Sequence, residues 1–211
     1  MPNIIVHCVR HAQGYHNLNE ENHNLPDPTL TPFGEAQCQA FRKVFPYHDE
    51  ITHLVASPMR RAIYTCLLGF EVEVKSGKKV VALPEIQETP DLPCDTGSDP
   101  EKLQEEFGVG QWQGAVDLSL VHKGWNDKSA NTKWTPSPSK IEMRAREARR
   151  WLRDLGMKYS GDAEIVVVTH GSFLHYFTQD WTAYNKFAGE TTPISSIILL
   201  LISTLDILHA H

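Results

Sequence analysis

The chain predicts an α/β fold: a three-layer sandwich with a mostly parallel central sheet flanked by helices. Apolar, β-branched runs at 4–9, 53–56, 79–83, 164–169 and 197–202 alternate with helix-period segments. That alternation is the pattern of strands joined by crossover helices. The size agrees: 211 residues, 41% hydrophobic and 22% charged, fill one domain over 1–211, with no linker to split it.

The first strand, Ile4-Ile5-Val6-His7-Cys8-Val9, ends at Arg10-His11, and Gly14 breaks the run soon after. Asp27-Pro28-Thr29-Leu30-Thr31-Pro32 then makes a turn into a helix over 33–45. Thr31 is placed to cap it and Pro32 to open its first turn. The second strand, 53–56, runs into Ser57-Pro58-Met59 and a helix over 59–68. The third, 79–83, leads to Pro84-Glu85-Ile86-Gln87-Glu88. From 84 to 138 the chain is rich in Pro, Gly, Asp and Trp, with weak periodicity beyond a helix at 100–107. Trp112, Trp125 and Trp134 predict a folded, loop-rich cover rather than a disordered linker.

Over 140–159, Ile141, Ala145, Ala148, Leu152 and Leu155 form one apolar helical stripe. Arg144, Arg146, Arg149, Arg150 and Arg153 alternate with acids around it and read as a solvated face. The fourth strand, 164–169, opens a helix over 172–180 through His170-Gly171. The apolar stretch from Ile194 to Leu208 is shorter than the ~20 residues of a membrane span. It also holds Ser195, Ser196, Ser203 and Asp206, and predicts a buried strand over 197–202.

A net charge of −6 gives no electrostatic footprint for nucleic acid or an anionic membrane. An anionic substrate must therefore be drawn by a local basic pocket. Cys8, Cys38, Cys66 and Cys94 are far apart and include no Cys-x-x-Cys pair, which reads as reduced thiols in a cytoplasmic protein. The N-terminus shows no basic segment followed by an apolar core, so no secretory signal is expected. Among the 11 histidines, His7 and His11 diverge by strand alternation and His209 and His211 lie in a tail. No metal site is expected.

In an open α/β sheet, ligands collect at the carboxyl ends of the strands. Arg10-His11, Arg60-Arg61, Glu85 with Glu88, and His170 all fall there. His11 taken alone is equally a loop-capping histidine. Together these residues fit phosphoryl transfer through a phosphohistidine. Arg neutralises phosphoryl oxygens bidentately, neutral imidazole is an in-line nucleophile, and a carboxylic acid protonates the leaving alkoxide. Flanking guanidinium groups disfavour imidazolium and keep the nucleophile neutral. The scheme needs no metal or other cofactor.

The chain resembles the histidine phosphatase superfamily, the phosphoglycerate-mutase-like family, and in particular its short fungal members. The Arg-His-Gly signature is matched by Arg10-His11-Ala12, followed by Asn17. Leu30-Thr31-Pro32-Phe33-Gly34-Glu35-Ala36-Gln37, Ser57-Pro58-Met59-Arg60-Arg61-Ala62-Ile63-Tyr64-Thr65 and Thr169-His170-Gly171 match further segments in the family's order. The resemblance implies His11 as the phosphorylated nucleophile. It implies Arg10, Arg61 and His170 around the phosphoryl oxygens, Asn17 at the pocket edge, and Glu88 as the acid, with Glu85 the runner-up. Arg60 is expected to point to solvent.

Three departures from the family stand out. Ala12 replaces the signature glycine, and its methyl is expected to crowd the approach to phosphate. The loop Thr89-Pro90-Asp91-Leu92-Pro93-Cys94-Asp95-Thr96-Gly97 is unlike the mutase pattern, and from Gly189 onward the chain does not follow the family. The implied activity is a metal-independent phosphatase for a small phosphorylated metabolite, without nucleic-acid or membrane partners. A homodimer stays open. Mutase activity is disfavoured, because no segment matches the extra cations that hold a substrate carboxylate. Ala12 and the unusual terminus prompt the alternative: a repurposed or non-catalytic relative that acts on, or binds, a non-phosphorylated small molecule.

Overall fold

In the computed structural model, which describes residues 2–181 and 199–203, the strands are β1 (Ile4–Arg10), β2 (His53–Ala56), β3 (Val80–Ala82), β4 (Val116–Asp117), β5 (Ala163–Thr169) and β6 (Leu199–Ser203). The helices are α1 (Pro32–Val44), α2 (Arg60–Gly69), α3 (Glu71–Lys75), α4 (Pro100–Phe107), α5 (Pro138–Met157) and α6 (Gly171–Thr178). Among the described residues the sheet runs β4-β3-β2-β5-β1-β6. The first five strands are mutually parallel, and β6 pairs antiparallel with β1.

The runs of β-branched residues explain the centre of this sheet. In β5, Val166 and Val168 join the apolar cluster packed by α1, α2 and α4, while Ile165 and Val167 join the cluster packed by α5 and α6. A parallel strand covered on both faces must be apolar throughout, as Ile165-Val166-Val167-Val168 is. The three-layer sandwich follows directly.

Helix α1 starts where its caps place it: the Thr31 hydroxyl accepts the Gly34 N–H at 3.0 Å, and Pro32 fills the first turn. A Cβ on Gly34 would lie 2.1 Å from the Gln13 carbonyl oxygen, so only glycine lets the loop after β1 settle on this helix. Helix α5 begins earlier than its apolar stripe, at Pro138, which suits an opening turn. Helix α6 stops at Thr178 because Gln179 is left-handed, with φ 58°.

Three features depart from the sequence expectation. Strand β4 and helix α3 are too short to leave a periodic signal. The arginines of α5 are not one solvated face: Arg144 is fully buried and Arg149 nearly so, bonded to loop and helix-end carbonyls. A guanidinium can be buried there because carbonyl oxygens from other elements satisfy its fixed fork of N–H groups.

Residues 84–138 fold over the carboxyl edge of the sheet. Trp112 and Trp125 are buried in the α1–α2 cluster and Trp134 packs against it. The Trp125 indole N–H donates to the Ser98 carbonyl, and Gln87 donates its amide to the Trp125 carbonyl. All four cysteines are buried free thiols. No helix among the described residues is long and apolar enough to cross a membrane. Strand β6 lies inside the apolar stretch noted above; the rest of that stretch falls outside the described residues.

Candidate active site

The site grows from the ends of β1, β2 and β5. The His11 N–H donates to the Thr169 carbonyl at 2.9 Å, tying the end of β1 to the end of β5. His11 is 4% exposed, and its Nδ1 donates to the Ala12 carbonyl at 2.7 Å. A carbonyl can only accept, so the proton sits on Nδ1 and leaves the Nε2 lone pair open. That lone pair accepts from Nε of Arg61 at 3.2 Å. Burial first, then the charges of Arg61, His16 and Arg10, push the His11 pKa well below 6.5, so the ring is neutral.

Arg61 enters from the first turn of α2 and is fully buried. Its Nη1 donates to the Cys94 carbonyl at 2.6 Å and its Nη2 to Asp95 Oδ1 at 2.9 Å. Arg10 has its Nε buried without a hydrogen-bond partner. His170 precedes α6 and is fully buried, with its ring centroid 5.1 Å from that of His11. Its Nε2 meets the Ser57 hydroxyl at 2.8 Å, while its Nδ1 has no partner. Burial and the Arg61 charge hold His170 neutral as well.

Glu88 is 9% exposed. Its carboxylate accepts the Thr89 N–H at 2.8 Å and, at the start of α6, the Phe173 N–H at 3.1 Å. Burial and the nearby Asp95 charge nevertheless raise its pKa, so the proton is retained to a higher pH than usual. Glu85 is held elsewhere, in an ion pair with Lys133 at 2.6 Å. Asn17 accepts the Gly14 N–H at 3.0 Å and closes the turn Tyr15–Asn17.

One expectation is corrected. Arg60 does not reach freely into solvent. Its guanidinium makes two bonds to Glu106, at 2.6 and 3.0 Å, because α4 lies across the start of α2. The Ala12 methyl belongs to the apolar cluster on the α1–α2 side, and Ala12 is not among the residues with positive φ. Its N–H donates to Thr65 Oγ1 at 3.0 Å.

Several site residues had no assigned role in the sequence reading. Lys128 is 6% exposed, and its Nζ donates to the carbonyls of Glu88, Pro90 and Asp95 at 2.8, 2.5 and 2.6 Å. Burial brings its pKa down to about 8. Arg144 donates to the Glu85 and Gln87 carbonyls at 3.0 Å each. Two buried cations thus clamp the backbone of the 85–95 segment. Asp95 engages the fork of Arg61, and His16 is 7% exposed with its ring centroid 5.4 Å from His11. The one available signal was for His16, which lies five residues after His11 in the same strand-end motif.

Chemically, a neutral imidazole whose Nε2 lone pair accepts from Arg61 stands beside two guanidinium groups, a second neutral imidazole and a carboxyl of raised pKa.

Residues 6–90 match the histidine phosphatase superfamily (branch 1). A "probable phosphatase" of Schizosaccharomyces pombe is 30% identical over 110 residues, covering 48% of this chain and 49% of that protein. The chain thus matches about half the length of that relative. A "phosphoglycerate mutase-like protein" of Arabidopsis thaliana is 24% identical over 210 residues, covering 81% of this chain and 72% of that one. In fold, the chain is similar to a phosphoglycerate mutase from Bacillus anthracis, with a TM-score of 0.59 and 15% identity over 97% of this chain and 89% of that one.

Proposed function

We propose that this chain, whose residues 6–90 match the histidine phosphatase superfamily (branch 1), is a metal-independent phosphatase that hydrolyses a small phosphorylated metabolite through a phosphohistidine at His11. The observation that carries this reading is the state of His11: neutral, with Nδ1–H anchored on the Ala12 carbonyl and the Nε2 lone pair turned toward Arg61.

In the first step Nε2 of His11 attacks phosphorus, and the bond from phosphorus to the leaving oxygen breaks. Arg61 must release Nε2 for this, and an arriving phosphoryl oxygen is the acceptor that replaces it. Arg10 and Arg61 offset the oxygen charge, with His170 beside them. Glu88 enters protonated and gives its proton to the leaving oxygen, so the product departs as an alcohol. In the second step the Glu88 carboxylate takes a proton from water as that water attacks phosphorus. The N–P bond breaks, inorganic phosphate leaves, and both residues return to their starting states.

Four unpaired buried thiols suit a cytoplasmic setting. The test is turnover of a generic aryl phosphate together with mass spectrometry at neutral pH. A phosphoryl adduct on His11 is expected in the wild type, and His11→Ala is expected to abolish turnover while keeping the far-UV circular dichroism spectrum. Full activity in His11→Ala would overturn the covalent mechanism. Phosphate binding without turnover in the wild type would favour a non-catalytic protein.

A further inference from the structure

The turn after the nucleophile is built to deliver one more side chain to the site. The Asn17 N–H donates to the Gly14 carbonyl at 2.9 Å, and the Gly14 N–H donates to Asn17 Oδ1. The Tyr15 N–H donates to the Thr29 carbonyl at 3.1 Å, and the Asn22 amide donates to the Tyr15 carbonyl at 2.7 Å. Held this way, the turn leaves Tyr15 40% exposed but sends His16 inward, 7% exposed.

Gly14 makes the room. A Cβ there would lie 2.8 Å from both Cε1 and Nδ1 of the His16 ring. The backbone at Gly14 is extended, with φ −97°, so glycine is required by this contact and not by its torsions.

Buried this deeply, Nδ1 of His16 has no hydrogen-bond partner. A histidine that only filled space would leave this polar atom desolvated for nothing, and Phe or Leu would serve better. An unsatisfied buried group beside a reaction centre is instead a group awaiting a ligand. The surroundings say which kind. Arg61 and Arg10, after burial, are the main causes that bring the His16 pKa down to about 2, so the ring stands neutral beside both cations of the site. His11 lies 5.4 Å away, centroid to centroid.

We infer that His16 is a third histidine of the phosphoryl pocket, a neutral hydrogen-bonding group for the phosphoryl oxygens held between Arg10 and Arg61. This rests on the phosphatase reading and extends it. His170 is anchored to Ser57 and His11 to the Ala12 carbonyl, whereas His16 Nδ1 has no anchor in the protein.

The test measures inorganic phosphate affinity by calorimetry, kcat and KM for an aryl phosphate, and Tm, on the full chain. His16→Phe keeps the ring and removes both nitrogens. It is expected to weaken phosphate binding and raise KM by about tenfold, the scale of one hydrogen bond in a dry pocket, with Tm little changed. His16→Gln restores an N–H and is expected to recover part of that loss. Gly14→Ala keeps the imidazole but forces it to move, and is expected to raise KM in a folded protein. Wild-type phosphate affinity in His16→Phe would overturn the assignment, as would a loss confined to Tm across all three variants. If His16→Phe does not fold, the Gln and Gly14→Ala variants decide by the same readings. A wild type that neither binds phosphate nor turns over the aryl ester defeats the phosphatase reading itself. A wild type that does both, matched by its His16 variants, defeats only the inference about His16.

Discussion

Replacing Arg61 with Met should separate what this side chain does for folding from what it does for catalysis. The substitution roughly preserves volume, so the stability change reports the charge and its bonds rather than a cavity. Arg61 is about 1% exposed and its partner Asp95 about 10%, which makes the pair a buried one. Removing one partner leaves an uncompensated carboxylate, which costs about 3–5 kcal/mol in such pairs. The Cys94 carbonyl also loses its donor. Catalysis should fall separately: losing one fixed donor to a developing oxyanion costs about 3 kcal/mol, or on the order of 150-fold in rate.

A second substitution tells the two effects apart. Asp95→Asn removes the stranded charge, so Arg61→Met/Asp95→Asn should regain most of the stability and none of the rate. Urea unfolding followed by tryptophan fluorescence, and kcat/KM on an aryl phosphate, measure the two quantities. Arg60→Ala is the control. Its pair with Glu106 is 30% and 23% exposed, so its loss should cost about 1 kcal/mol or less and leave the rate unchanged. Recovery of rate in the double variant would refute the catalytic assignment, and equal losses in Arg60→Ala and Arg61→Met would place the clamp on the wrong arginine.

Glu88→Gln should slow an alkyl phosphate by about a hundredfold or more yet barely affect a nitrophenyl ester, whose leaving group needs no proton. Glu85→Gln should leave that ratio unchanged, and a selective loss in Glu85→Gln instead would move the acid to Glu85. Because the Glu88 pKa is raised and His11 lies well below 6.5, kcat/KM on alkyl esters should fall as pH rises through the Glu88 pKa. No His11 limb should appear near 6.5 once the second ionisation of the substrate, near ~6, is corrected for. A limb at 6.5 that survives this correction would contradict a neutral, buried nucleophile. Lys128→Met should cost about 2–4 kcal/mol, since three carbonyls lose a charged donor, and should raise KM by loosening the 88–95 segment. Unchanged stability would show that the ammonium does not hold that loop.

Much of the framework is local in origin and therefore readable from the chain. The apolar runs of β1, β2 and β5 announce strands because both faces of a parallel sheet are buried. Thr31-Pro32 marks the start of α1 by its own capping chemistry, and α4 spans the 100–107 expected of it. Arg10, His11, the Arg60-Arg61 pair, Glu85 with Glu88, and His170 could be singled out because strand ends are where such a sheet gathers its ligands, whereas the preference for Arg61 and Glu88 came from the resemblance to the family.

What the tertiary structure alone decided is the environment of the charges. Arg144 and Arg150 look alike along the helix, yet Arg144 is buried because carbonyls 57 and 59 residues away accept from it. Lys128 has no signal in its own window, since its partners are the backbone of the loop carrying Glu88 and Asp95. Arg60 and Arg61 are adjacent in sequence, and only the positions of α4 and the 93–95 turn send one to Glu106 and the other to His11. The physical reason is common to all of these. Hydrophobic periodicity and capping are properties of neighbouring residues, whereas a buried charge depends on donors and acceptors supplied by distant segments.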